Sequence, residues 1–255
     1  MRFASLGSGS QGNALVVEAG DTRVMLDCGF GLAATATRLA RLALAPEDIS
    51  AIVVTHEHDD HIGGVARFAR RHDIPVWMTP GTLAGFEALF AGVADVRLIH
   101  NYESFAIGDV QVHPFPVPHD AREPAQFVFG DGARRLGVLT DVGCSTRHIE
   151  VMLSGCDALV LECNHDAEML RTGSYPQRLR DRIAGRFGHL DNAAAAQLLS
   201  QLDVARLKHL VAAHLSHENN RPDLAQSALA AVMKCAPDWI AVADQDEGLP
   251  WRQID

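Results

Sequence analysis

The sequence predicts an α+β protein built as a four-layer αββα sandwich, two β-sheets stacked face to face with helices covering both outer surfaces. Short apolar and β-branched runs crowd the first half, several with only brief turns between them. That spacing disfavours a doubly wound parallel sheet, in which each strand waits for a crossover helix. Helical spacing appears between later strands and fills much of the second half, so helices are available to cover the sheets.

Arg2 to Leu6, Ala14 to Glu18 and Thr22 to Asp27 alternate or run apolar between Gly and Asp, and read as three consecutive strands. Leu32, Ala36, Leu39 and Ala43 then recur at helical spacing and stop before Pro46. A strand at Ala51 to Val54, a helix from about Gly64 to Arg71 and a strand at Pro75 to Met78 follow. Further strands are expected at Val96 to Ile99, Val110 to Val117, Gln126 to Phe129, Arg135 to Thr140 and Ala158 to Leu161. Helices are expected near Thr146 to Leu153, Asn192 to Leu202 and Pro222 to Cys235, with a last strand near Trp239 to Val242. No repeat or low-complexity linker interrupts the pattern, so one continuous domain spanning residues 1–255 is the simplest organisation.

The chain has 255 residues, 47% of them hydrophobic, which suits a globular protein with a substantial core. Its formal net charge of -10 argues against a broad, non-specific grip on a polyanion. Bound divalent ions would reverse that sign locally. Cys28, Cys144, Cys156, Cys163 and Cys235 are scattered, odd in number and never paired as C-x-x-C, as expected of reduced cytosolic thiols. The amino terminus lacks the apolar stretch of a secretory signal, and no segment approaches the ~20 apolar residues that cross a bilayer. A cytoplasmic protein that does not enter a membrane is the expectation.

The chemistry concentrates in Thr55-His56-Glu57-His58-Asp59-Asp60-His61, directly after the apolar run Ala51-Ile52-Val53-Val54. In an extended segment His56 and His58 point the same way. A turn through Asp59 then aims Asp60 and His61 at a second nearby point. Imidazoles suit zinc and similar ions, and a carboxylate suits a harder or bridging role. Downstream, Pro118-His119-Asp120, Thr140-Asp141 and Ala213-His214 also follow strand-like runs, so they can converge with the motif on one rim of a sandwich. His72, His100, His113, His148 and His209 have no such context and are assigned no role.

With this H-x-H-x-D-H string, a lone His, an Asp and a final His in that order, the chain resembles the metallo-β-lactamase-fold metallo-hydrolases over nearly its whole length. The resemblance implies that His56, His58 and His119 hold one divalent ion, that Asp60, His61 and His214 hold another, and that Asp141 bridges them. His217, three residues beyond His214, is the alternative ligand. Val24-Met25-Leu26-Asp27-Cys28-Gly29 also matches, and implies that Asp27 orients the motif from behind. Zinc is the expected ion, with manganese or iron as alternatives.

Three further strings resemble the YycJ/WalJ-like branch, related to ribonuclease Z and ribonuclease J type nucleases. They are Leu161-Glu162-Cys163-Asn164-His165, Gly188-His189-Leu190-Asp191-Asn192 and His214-Leu215-Ser216-His217-Glu218-Asn219. The branch implies a phosphodiesterase or nuclease acting on DNA or RNA through a hydroxide shared between two ions, with Asp60 essential to turnover. His189 oriented by Glu162, or else His165, would protonate the leaving oxygen. Ser8-Gly9-Ser10-Gln11-Gly12-Asn13 is either a plain turn or a loop that offers backbone N-H groups to an anion; Ser8, Ser10 and Asn13 from it, and Ser216 and Asn219 from the third string, are candidate substrate contacts. The same ligands would serve a thioester, lactone or β-lactam hydrolase, and a non-catalytic regulatory protein with a vestigial site is the third reading.

Overall fold

A computed structural model describes all 255 residues. Its strands are β1 (Arg2–Gly7), β2 (Ala14–Ala19), β3 (Thr22–Leu26), β4 (Ala51–Val53), β5 (Val76–Met78), β6 (Val96–Leu98) and β7 (Phe105–Ile107). The series continues with β8 (Val110–Pro116), β9 (Ala125–Gly130), β10 (Arg135–Leu139), β11 (Ala158–Glu162), β12 (His209–Ala213), β13 (Ala241–Val242) and β14 (Leu249–Gln253). The helices are α1 (Leu32–Arg41), α2 (Asp59–Ile62), α3 (Val65–His72), α4 (Pro80–Leu83), α5 (Glu87–Phe90), α6 (Arg147–Leu153), α7 (Ala167–Thr172), α8 (Gln177–Ile183), α9 (Asn192–Gln201) and α10 (Pro222–Met233).

The strands form two seven-stranded sheets, ordered β14-β1-β2-β3-β4-β5-β6 and β13-β12-β11-β10-β9-β8-β7. Both are mixed. The hairpin-connected strands pair antiparallel, while β3 to β6 and β10 to β13 pair parallel through helical crossovers. The predicted sandwich is therefore present, with more parallel pairing than the short early turns suggested.

Period-two alternation explains the four layers. Leu15 and Val17 of β2 and Val53 of β4 face the other sheet, where they meet Phe127, Phe129, Val138, Val160 and Val211. Val16 and Ile52, one residue out of phase, face outward against Leu39 of α1 and Phe68 of α3. The second sheet does the same with Leu159, Leu161 and Leu210, which pack on Ile149 of α6, Leu198 of α9 and Leu229 of α10. Because both faces of the central strands are buried, these runs are continuously apolar rather than alternating with polar residues.

The departures from the predicted elements are local. β7 is apolar but only three residues long, too short a run to read as a strand. β14 contains Pro250, which removes a ladder donor, and it sits at the sheet edge beside β1, where proline is tolerated. The last strand predicted from Trp239 shrinks to Ala241–Val242 because Pro237–Trp239 is a 3-10 turn. No helix is long and apolar enough to cross a membrane.

This topology builds a rim. β8 runs antiparallel to β9 and β9 to β10, and β10, β11 and β12 are mutually parallel, so β8, β10, β11 and β12 end on the same side. Three residues just beyond strand ends, Asp27, Asp141 and His214, have φ of 60°, 53° and 56°, in the left-handed region. Asp and His tolerate that region better than most side chains, but it still stores strain, which concentrates at functional sites. Gly29 allows the chain to close tightly here: a Cβ at this position would lie 1.9 Å from the Asp60 carbonyl oxygen.

Candidate metal centre and catalytic groove

The motif leaves β4 as an irregular segment through His58 and turns into α2 at Asp59. His56 Nε2 lies 3.0 Å from His58 Nδ1, which lies 3.2 Å from His119 Nε2. Alongside, His61 Nε2 and His214 Nε2 are each 3.5 Å from Asp60 Oδ2. Asp141 stands between the two groups. Its Oδ2 is 3.2 Å from His61 Nε2, and its Oδ1 is 3.5 Å from His214 Nε2 and 3.9 Å from His119 Nε2. These donor atoms form overlapping clusters of metal-binding dimensions.

The outward nitrogens are committed by their partners behind. Asp27 accepts from Thr55 N and Thr55 Oγ1 at 2.8 and 2.9 Å and holds His61 Nδ1 at 2.8 Å. Thr55 Oγ1 in turn accepts from His56 Nδ1 at 2.9 Å. Gly188 O accepts from His119 Nδ1 at 3.1 Å. With their protons on Nδ1, His56, His61 and His119 present Nε2 lone pairs to the centre, the arrangement that second partners impose on metal-binding histidines.

Lone pairs and carboxylate oxygens crowd one another here. Asp141 Oδ2 and His214 Nε2 are buried with no hydrogen-bond partner. Such orphaned atoms cost about 1–3 kcal/mol each unless something satisfies them. The imidazole and carboxylate donor set fits divalent cations, with His56, His58 and His119 placed to hold one and Asp60, His61 and His214 another.

Electrostatics points the same way. Burial opposes charge on Asp60 and Asp141, yet the histidines around them, His214 and His61, hold both carboxyls well below the usual range. Burial also opposes protonation of His214 and His61, but Asp141 outweighs it, assisted by Asp60 and Glu162 at His214, which rises to about 10, and by Asp27 at His61. His56 and His119 shift the other way, because burial keeps them neutral. The cluster attracts positive charge, and a bound cation would displace the protons.

A β-lactamase superfamily domain model matches residues 22–214. The chain belongs to this superfamily. It is 36% identical to exodeoxyribonuclease YycJ of Bacillus anthracis over 236 residues, 92% of this chain and 89% of YycJ. It is 31% identical to exodeoxyribonuclease WalJ of Streptococcus pneumoniae, across 100% of this chain and 93% of WalJ. The crystal structure of the metallo-β-lactamase fold protein YhfI from Bacillus subtilis superposes with a TM-score of 0.76 at 15% identity, covering 99% of both chains, a likeness of fold.

In this superfamily member a groove of about 400 Å³ opens over the centre, lined by His58, Asp60, Asp141, His189 and His214 among others. Glu162 is fully buried at the end of β11 and accepts from Asp141 N, Val142 N and Leu190 N at 3.0, 3.1 and 3.0 Å. It also holds His189 Nδ1 at 2.8 Å and lies 3.4 Å from His214 Nδ1. Burial opposes its ionisation, but His189 foremost draws its carboxyl down to about 2. Glu162 therefore positions His189 from behind and cannot itself touch a substrate. Burial opposes the His189 proton as well, and Glu162 overcomes this, raising the imidazole above its ordinary value.

The other predicted residues separate. Ser10 and Ser216 line the groove. Ser8 is buried and accepts from His214 N at 2.9 Å, which makes it a brace for the ligand loop. Asn13 is likewise occupied, bonded to both backbone groups of Gly9 and to Asp60 Oδ2. Asn219 is buried and bonds to Ser216 Oγ. His165 lines a neighbouring groove rather than the one holding His189. The reason is alternation beyond β11: Glu162 and Asn164 share one side, and His165 falls on the other. His217 is exposed and belongs to none of the metal-sized clusters, whereas His214 does.

Three groove residues had no sequence signal. Asp120 Oδ1 is 3.5 Å from His119 Nε2, and its Oδ2 is 2.6 Å from Arg182 Nε. Tyr175 and Arg182 line the groove from the segment around α8. Among the braces, Asp27 has the clearest expected effect. Asp27→Asn should weaken metal affinity about 10- to 100-fold by freeing the His61 ring, as read by calorimetric titration with zinc.

Proposed function

We propose that this chain is a two-metal nuclease that hydrolyses phosphodiester bonds of DNA. The observation that carries the reading is the Glu162-held His189 beside a histidine and aspartate cluster of metal-binding dimensions, in a chain similar over nearly its whole length to two proteins named exodeoxyribonucleases. Two cations held there would acidify a water and neutralise the non-bridging phosphate oxygens.

The chain's own residues supply the remainder. His56, His58 and His119 would hold one cation, and Asp60, His61 and His214 the other, with Asp141 placed between the two groups. Nitrogen-rich donors of this kind favour zinc. Glu162 fixes His189 through Nδ1, which leaves Nε2 to give a proton to the departing oxygen. Such a donor matters most for an alkoxide leaving group, as in a nucleic acid. Buried Thr55 and Asp27 hold the Nδ1 protons of His56 and His61, which turns the Nε2 atoms toward the centre. The five cysteines form no disulfide, and this supports a cytoplasmic location.

The test compares metal-free and zinc- or manganese-reconstituted protein on end-labelled single- and double-stranded DNA, RNA and a thioester. Metal-dependent release of nucleotides from DNA is expected. Cleavage of the thioester alone would overturn the reading.

A further inference from the structure

Residues Arg171 to Phe187 contain five arginines, Arg171, Arg178, Arg180, Arg182 and Arg186, against one carboxylate, Asp181, in a protein of formal net charge -10. The metal centre makes no use of most of them. The stretch is built around α8, whose sides differ. Leu179, Arg182 and Ile183, with Tyr175 just before the helix, line the metal groove. Gln177, Arg180, Asp181 and Ala184 line a second groove of about 210 Å³ that also includes His165, Arg171 and Asp191. Helix α8 is thus a wall between two grooves. At about 100° per residue, Arg178 falls between these two faces, and it is exposed there on the crest.

The guanidiniums are unequally occupied. Arg171 pairs with Glu168 and Arg182 with Asp120. Arg178 and Arg186 are exposed and hold no salt-bridge partner. Arg180 donates from its two terminal nitrogens to Arg171 O and Gln177 Oε1, and only its Nε, which is buried, has no hydrogen-bond partner. Beside them Phe187 is 56% exposed, with its carbonyl oxygen accepting from Asp120 N at 3.0 Å at the edge of the metal groove. A small ester filling the 400 Å³ groove would leave Arg178, Arg186 and the second groove without a role. A polymer of phosphates would use them.

We infer that residues 171–187 form the binding surface for the remainder of a single-stranded nucleic acid, whose backbone leaves the metal groove, crosses the α8 crest and enters the second groove. This rests on the nuclease reading above. Arg182, Arg178 and Arg180 form a succession of charges across the wall, and forked guanidiniums match phosphate oxygens. Tyr175 and Phe187 offer ring faces to bases. An exposed aromatic can stack only on a base released from pairing, which selects a single strand and imposes little sequence preference. The basic wall also explains how a net-acidic chain holds a polyanion: the grip is local.

The experiment measures steady-state cleavage of a long single-stranded DNA oligonucleotide, a dinucleotide and bis(p-nitrophenyl) phosphate by zinc-loaded wild type, by R178A and R186A combined, and by Phe187→Ala. All three side chains are exposed, so folding tolerates their loss. The double arginine variant should raise KM for the oligonucleotide about tenfold and make the slope of log KM against log salt shallower by about 1.4, or about 0.7 for each lost contact. Phe187→Ala should raise the same KM about fivefold or more. In both variants kcat and turnover of the two small substrates stay unchanged. An unaltered oligonucleotide KM in a chain that still cleaves it would overturn the inference, as would an equal KM rise for the dinucleotide. Wild-type protein that cleaves neither nucleotide substrate would remove the nuclease reading, and this inference with it.

Discussion

Asp141→Ala is expected to lower turnover on DNA by at least about 10³-fold and to cost the chain at least one of two divalent ions. Asp141 is the one carboxylate within 4 Å of ring nitrogens from both clusters, His119 on one side and His61 and His214 on the other. Removing it leaves His61 and His214 to hold a cation with Asp60 alone, and removes a charge from a buried site where cations are otherwise poorly compensated. Losing one member of a buried, mutually compensating charge set typically costs about 3–5 kcal/mol, or about two to three and a half powers of ten in affinity. Measured kcat and metal content of the purified variant check this together. A variant that keeps both ions and a tenth of the activity would remove Asp141 from the centre.

The second large effect separates proton donation from metal binding. His189→Gln should reduce DNA cleavage by about 10²-fold or more, the usual contribution of a positioned general acid. It should leave hydrolysis of bis(p-nitrophenyl) phosphate within about threefold, because p-nitrophenolate departs without a proton. Metal content should not change, since the clusters that include Asp60 and His58 do not need this ring. Equal losses on the two substrates would instead make His189 a structural or ligand residue.

The candidate metal cluster was legible because its residues follow local rules. His56, His58, Asp60 and His61 lie in one string, and His119, Asp141 and His214 each follow an apolar run that becomes a strand. Strand ends converge in a sandwich, so position along the chain carried position in space. What the sequence concealed depends on side-chain phase and on turns. His165 resembled a second proton donor, yet it stands one residue out of phase with Glu162 and Asn164 and opens on another groove. Ser8 and Asn13 looked like ligand contacts from a Gly and Ser loop, but they are occupied in bracing His214 and Asp60. The left-handed backbone at Asp27, Asp141 and His214 has no signature in residue type alone. Helix α8 escaped notice because its seven residues follow Gly173, Ser174 and Pro176, which read as a loop, and with it went the wall that Arg182 and Tyr175 contribute.

Seven side chains are expected to hold two cations, with Asp141 shared between them. The most direct measurement is the number of divalent ions per chain, by inductively coupled plasma mass spectrometry on zinc-reconstituted, desalted protein. Two are expected for wild type and fewer for Asp141→Ala. A wild-type chain that binds no zinc, or retains only one ion under saturating conditions, would contradict this.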